Sequence, residues 1–518
     1  MKLNYKRTIF VGFAFFLICT FWQAYDTIIP KILTDQYGMS QAASGVVMAI
    51  DNVLALFMLP LFGALSDRCM SKRGKRTPFI IIGTVVAAIA LVCLSFADNK
   101  QLHNIEAVAT IDDPAALSTL YESEKDRLLK MPDGTEYVLS DTFTQDEFSQ
   151  ITAQMIADGK TVTNPDYINY VVPARHAFAW TQTQTDPSTL ILFLGILLIV
   201  LVAMSIFRSP AVALMPDVTI KPLRSKANAV INLMGTAGGI VVLALGMAFA
   251  TGSVKNALMS YTTFFCLIAG IMLVALAFFL WQVNEPRFVA EMQQESQKYH
   301  IDEATGSDAS NANKKLSKSE LSSLLLILLS VVFWFMGYNA VTSKYSVYAG
   351  KVLSLDYNST LMIANVAAII AYLPVGFVAS KIGRKKSIIG GIVMLSGAFL
   401  VASFLREGSS AMLMNSMFAL AGIGWATINV NSFPMVVELS RGGDIGKYTG
   451  FYYTASMAAQ TVTPWFSGIL MDKIGMTTLF PYATIFVGLA LLTMLFVQHG
   501  DNRPNQPQSK LEAFSSED

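Results

Sequence analysis

Two aspartates interrupt long apolar stretches of this 518-residue sequence: Asp26, four residues before Pro30, and Asp51, beside Asn52. A carboxylate at mid-membrane depth costs about 2.5–3.5 kcal/mol on insertion scales, so it should face a cavity or a partner and not lipid. Such a group is a candidate proton carrier; the alternative is a structural carboxylate bonded between helices. Three tryptophans each precede a polar residue by four: Trp22 with Asp26, Trp334 with Tyr338 (Asn339 beside it), and Trp425 with Asn429. Spacing of i,i+4 puts both members on one helix face. An aromatic plate beside a polar group suits a ligand with an apolar ring face and hydroxyls. Gln23, Asn52, Asn232, Asn365 and Gln460 could add polar contacts. The alternatives are that Trp anchors at membrane interfaces and that Asn bonds between helices. His103, His176, His300 and His499 lie outside the apolar runs and apart from one another, and no phosphate-binding loop is present. No catalytic site, metal or cofactor is therefore expected. Cys19, Cys69, Cys93 and Cys266 show no metal-ligand spacing and suggest no disulfide framework.

The elements that carry these residues are membrane helices. The sequence is 53% hydrophobic and 14% charged, against roughly 25% charged in a soluble domain. Apolar runs fall near 8–33, 40–66, 78–97, 188–208, 225–251, 257–282, 321–343, 357–380, 386–405, 410–433, 447–471 and 477–498. Each is long enough to span a bilayer. Cations gather in alternate loops: Arg68, Lys72, Arg73, Lys75 and Arg76, then Arg208, Lys221, Arg224 and Lys226, then Lys381, Arg384, Lys385 and Lys386. By the positive-inside rule these loops and both termini are cytoplasmic. No basic residue is seen at mid-span, which favours a neutral solute. Spans three, six, nine and twelve carry no charge between their flanks and read as lipid-facing.

The sequence divides into helices one to three (1–97), an outer insertion (98–187), helices four to six (188–282), a cytoplasmic linker (283–320), helices seven to twelve (321–498) and a tail (499–518). The insertion is acidic and patterned. Residues 114–130 have helical spacing, Asp133-Gly134 before Thr135–Leu139 reads as a turn and strand, and Thr144 with Glu147 forms a capping box before a helix to about Ala157. A small folded cap outside the membrane is expected.

The halves repeat. Gly63 to Arg68 with Arg73, Gly74, Lys75 and Arg76 follows span two, and Gly376 to Lys386 follows span eight; Ser209-Pro210 follows span four, and Phe433-Pro434 span ten. The first repeat offset exceeds the second by about the length of 98–187, so that segment reads as an insertion into a duplicated six-span unit. The first loop resembles the loop 2–3 motif of the major facilitator superfamily. Ser66-Asp67-Arg68, Ser71 to Phe79, and Pro210 with Pro216 to Thr219, Arg224, Ala227 and Asn228 are similar to the glycoside–pentoside–hexuronide symporters and the sucrose transporters. The span-two carboxylate pair of melibiose-type members is not reproduced: Ala55 and Leu59 stand near those places.

The resemblance implies an all-α membrane protein of twelve transmembrane helices in two six-helix bundles, with a small extracytoplasmic α/β insertion between helices three and four. It implies alternating access around a site near the midplane. The expected function is proton-coupled symport of a neutral glycoside such as sucrose or maltose in the plasma membrane, with Asp26 and Asp51 carrying the proton and sodium less favoured. Another neutral solute (nucleoside, peptide or drug), or a sensor acting through the cap, are the alternatives. Nucleic acid is not an expected partner. Asp67, Arg68, Arg73, Lys75, Arg76, Asp217, Arg224, Arg384, Lys385 and Glu438 are candidate gate residues, pairing in one conformation.

Overall fold

The computed structural model describes residues 3–157, 160–220, 224–298, 317–439 and 445–499. Twelve long helices dominate it: α1 Tyr5–Lys31, α2 Gln41–Asp67, α3 Thr77–Asn104, α4 Ser188–Asp217, α5 Arg224–Ala248 and α6 Thr262–Gln282, then α7 Lys318–Tyr348, α8 Tyr357–Ile382, α9 Arg384–Ala402, α10 Ala411–Glu438, α11 Ile445–Lys473 and α12 Leu479–Leu495. Their starts are written locally. Asn4, Ser40 and Asp356 cap α1, α2 and α8 with side-chain oxygens, and Ser317 with Glu320 makes a capping box on α7. Pro30, Pro210, Pro216, Pro374 and Pro464 lie inside helices, which membrane helices tolerate when neighbours satisfy the freed carbonyls.

Each set of six encloses its own apolar core. On α3, α6, α9 and α12 the large apolar side chains Ile89, Val274, Val393 and Ile485 stay exposed, as lipid-facing helices require. Two boundaries differ from the sequence reading. Helix α3 continues through Asp98 and Lys100 to Asn104, and α4 continues past Arg208 to Asp217. The α3 extension is polar, so hydropathy stops short where hydrogen bonding does not; the α4 extension resumes an apolar run, Ala211–Met215, beyond the single charge of Arg208.

The inserted segment has a separate core that includes Leu117, Leu120, Phe148 and Tyr167. Helix Pro114–Glu124 precedes a hairpin of β1 Leu128–Lys130 with β2 Glu136–Val138, and β3 Gln154–Ala157 pairs with β4 Lys160–Thr163. A final helix, Val172–Thr185, leads back to α4. The Thr144–Glu147 capping box is present, but its helix ends at Ser149 and not near Ala157. Gln154–Ala157 is a strand because its backbone groups pair with 160–163. Residues 285–298 of the linker are helical; its Ser-, Asn- and Lys-rich run and the tail beyond 499 lie outside the described residues.

The bundles meet along α2 with α11, α5 with α8, and α1 with α7. The bonds that join them cluster at the cap end. Asp472 accepts from the backbone N–H groups of Gln41 and Ala42 at 2.8 and 2.7 Å. Lys344 donates to the Gln41 carbonyl at 2.6 Å. Tyr357 and Asn358 reach the Thr251 hydroxyl at 2.7 and 3.0 Å. The mouth on this side is closed.

Closure needs glycine. A Cβ on Gly45 would collide with the Pro464 carbonyl, and one on Gly468 with the Gln41 carbonyl. Gly45→Val is therefore expected to hold α2 away from α11, leaving the protein folded but the cap-side mouth open. Spin-label distances across that mouth check this: a distribution unchanged from the parent would contradict it.

Candidate functional site

Between the bundles, both intramembrane acids meet a cation that lies outside the expected set. Arg208 on α4 stacks over the Trp22 ring, with its guanidinium carbon 5.3 Å from the centroid. Its charge acts on both Asp26 and Asp51, and those two carboxylates act on each other. Asn52 donates to Asp51 at 2.9 Å. Trp22 is set edge-on to Phe21 and Tyr25 at 5.1 and 5.3 Å, so its orientation is fixed by neighbours on its own helix.

The C-terminal bundle faces this cluster with aromatics. Tyr338 on α7 and Trp425 on α10 stack at 3.7 Å with their planes 2° apart, and Phe335 packs edge-on to Trp425 at 5.3 Å. Tyr338 lies within electrostatic reach of Asp26, Tyr372 within reach of Cys19, and Tyr453 within reach of Arg208. Asn429 hydrogen-bonds Tyr372 and is otherwise exposed. The two halves thus present an acid–guanidinium–indole group and a stacked aromatic plate to one another.

Several expected positions fall here and others do not. Trp22, Asp26, Asp51, Asn52, Tyr338, Trp425 and Asn429 belong to the facing surfaces. Trp334 does not: it is completely buried in the core of its own bundle. Gln23 lies against Gly239 on α5. Asn339 is partly buried, with its amide nitrogen unpaired. Asn232, Asn365 and Gln460 are half-buried on α5, α8 and α11. The absence of a basic residue at mid-span is corrected by Arg208. Sequence placed it in a loop because it ends an apolar run; the signal was the uninterrupted stretch from Ser209 to Asp217 with no turn residue except proline. Tyr372 carried no spacing signal.

The candidate gate residues pair within one bundle. Arg76 donates to Asp217 at 2.8 Å and to Asp67 at 2.5 Å, and also reaches the Ser66 hydroxyl. Glu285 accepts from the backbone of Lys75, Arg76 and Thr77. These contacts tie the α2–α3 loop to α4 and to the helix after α6. Arg68, Arg73 and Lys75 are exposed. Lys385 donates to the Leu495 and Val497 carbonyls at 2.9 and 2.6 Å, closing the end of α12. Arg384 is half-buried, and the side chains of Arg224 and Glu438 lie outside the described residues.

A third group forms where the cap meets both bundles. Helix α1 runs into a π turn, Ile32–Gln36, and α7 into another, Ala349–Leu353. The turns bring Asp35 to 3.1 Å from Lys351. The ring of His176, on the cap helix, places Nε2 3.0 Å from Asp35 and 2.9 Å from Lys351. Burial, then the Lys351 charge, holds the His176 imidazole below its ordinary value of 6.5. Sequence could not show this trio, because its members are far apart in the chain.

A family model described as Major Facilitator Superfamily matches residues 11–110, 176–371 and 356–516. The stretch left between the first two segments falls within the cap. A 60-residue segment is 35% identical to a sucrose transport protein, SUC3, of Arabidopsis thaliana, covering 12% of this chain and 10% of that one. A 91-residue segment is 32% identical to proton-associated sugar transporter A of Homo sapiens, covering 18% and 12%. These matches span about a tenth of the relatives' lengths. The inward-open xylose transporter XylE of E. coli superposes with a TM-score of 0.56 at 14% identity, covering 98% of both chains. That likeness is one of fold.

Proposed function

The chain belongs to the Major Facilitator Superfamily, and from that premise we propose that it performs proton-coupled symport of a glycoside of the sucrose or maltose kind by alternating access. The carrying observation is the Asp26–Asp51–Arg208 group facing the Tyr338–Trp425 stack. Two carboxylates and one guanidinium leave one unbalanced negative charge, which one proton neutralises. The stack offers the apolar ring face that a sugar needs, and Asn429, Asn52 and the carboxylates offer partners for hydroxyls. The short relatives' names, sucrose and proton-associated sugar transport, point the same way.

By the distribution of basic loops, the cap lies outside the cell and both termini inside, in the plasma membrane. The closed cap-side mouth then corresponds to an inward-facing state. Opening that mouth while the Arg76 loops approach α8–α11 would complete the cycle. Arg208 also supports a second reading, a solute bearing a carboxylate or phosphate.

The test is counterflow of labelled sucrose and maltose in proteoliposomes. Exchange above protein-free liposomes supports the proposal; none with either sugar, but exchange with an anionic solute, favours the second reading. Trp425→Ala removes the stacked plate, worth about 0.5–1.5 kcal/mol, so KM is expected to rise by roughly twofold to tenfold with little loss of protein. Trp334→Ala instead leaves a core cavity and is expected to lower the yield of folded protein. Equal KM effects from both would remove the stack from the site.

A further inference from the structure

The cap is fixed to one bundle and only touches the other. It is joined through the chain to α3 and α4. On that side Thr183 donates to the Tyr37 carbonyl at 3.0 Å and accepts from Gln101 at 3.1 Å. Gly38, at φ +67, has no room for a Cβ against the backbone of His176 and Trp180. Its contacts with the C-terminal bundle are fewer and differ in kind. Met476 N–H donates to the Pro132 carbonyl at 2.6 Å. Gly134 and Gly475, both at positive φ, let the hairpin turn lie directly on the Ile474–Gly475 backbone. A further contact is His176 with Lys351. Between these contacts lies a cavity of about 440 Å³ whose walls come from all three parts, including Trp180, Gln41 and Asp472.

The Lys351 ammonium can only donate, so His176 Nε2 takes that bond through its lone pair, in the neutral tautomer that carries the ring proton on Nδ1. Protonated, the same nitrogen donates to Asp35, which belongs to the cap's own bundle, and repels Lys351. We propose that the inserted domain is an acid-weakened latch: neutral His176 adds the cap to the Asp35–Lys351 pair that joins the two bundles, and its protonation removes that tie and eases opening of the cap-side mouth. No substrate is needed for this; it rests on alternating access alone and not on the sugar or on Asp26 and Asp51.

The charged and titratable surroundings agree. Around the imidazole lie Lys31 from the end of α1, Asp35 from the π turn that follows it, Lys351 from the α7 π turn, Asp472 from α11, and Arg175, Tyr167 and Lys130 from the cap itself. Lys130 is paired with Glu136 at 2.9 Å, and Arg175 bonds Tyr167 and the Thr110 carbonyl. Asp35 and Asp472 favour the imidazolium, while burial and Lys351 oppose it and prevail. The closed state therefore binds this proton less well than an open state in which the ring is solvated. Its latch is at full strength above about pH 6.5 and weakens as the pH falls below that value. An acidic outer medium would then both supply the coupling proton and release the mouth.

Spin labels on Thr135→Cys in the hairpin turn and Lys473→Cys on α11, both exposed positions, report the latch in the 518-residue chain reconstituted with its four native cysteines replaced. The expected result is one short distance at pH 7.5 and at least a threefold larger long-distance fraction at pH 5.0. His176→Gln should abolish that pH response, and so should Lys351→Gln, which offers a second route if one variant folds poorly. Asp51→Asn should retain it, which separates this latch from the coupling acids. A parent without a pH response, or a response that survives in both His176→Gln and Lys351→Gln, would overturn the proposal. Loss of sugar uptake with the distance change intact would count against the transport reading alone.

Discussion

Asp51→Asn and Asp26→Asn should each reduce uptake under an imposed pH gradient to the level reached without a gradient, while counterflow of the same solute persists. Coupling requires a site whose charge changes during the cycle. In the Asp26–Asp51–Arg208 group only the carboxylates can change charge, since a guanidinium keeps its proton at all working pH values. Asparagine preserves the shape of each side chain and fixes it as neutral. Solute can then still bind and exchange, but a proton gradient has nothing to load. Arg208→Gln should behave differently. It leaves two carboxylates without their cation, and both counterflow and driven uptake should fall. Full pH-driven uptake in both aspartate variants would remove these acids from the coupling mechanism.

The second large effect is expected at the cap-side mouth. Asp472 sits at the N-terminus of α2 from the opposite bundle and takes two backbone hydrogen bonds there. Bonds to an ionised group are worth about 1.5–3 kcal/mol, and a helix N-terminus adds to them. Because these bonds exist only with the mouth closed, Asp472→Ala lowers the stability of that state and not of either bundle. A loss of about 2 kcal/mol shifts the balance roughly 30-fold toward the open mouth. The same labelled pair across the mouth should show the long distance dominating at pH 7.5. An unchanged distribution would mean that the closed state rests on other contacts, such as Lys344 with Gln41 or the Thr251 group.

What was legible in the sequence depended on how local its cause is. Membrane helices need only a run of apolar residues, and caps only a residue or two, so the twelve spans and the Thr144–Glu147 box could be read directly. Arg208 was misplaced because its charge and the prolines after it read as the end of the span, whereas α4 continues without a break through Ser209–Asp217. Trp334 fails for a geometric reason. Four residues advance a helix by about 400°, leaving roughly 40° between i and i+4, and here that angle separates the bundle core from the facing surface. Tyr338 lies on the facing side, and its stacking partner Trp425 comes from another helix. Gln154–Ala157 became a strand because its partner lies just downstream. The His176–Asp35–Lys351 trio is a product of tertiary contact between the cap and two π turns, and no spacing rule reaches across those distances.

The arrangement of acids, guanidinium and aromatic plate stands or falls on one transport assay. Proteoliposomes loaded at pH 7.5 and diluted to pH 5.5 should accumulate labelled sucrose or maltose above the outside concentration, and an uncoupler should collapse the gradient. Equilibration of the sugar without accumulation, unaffected by the uncoupler, would contradict proton symport and leave a facilitator.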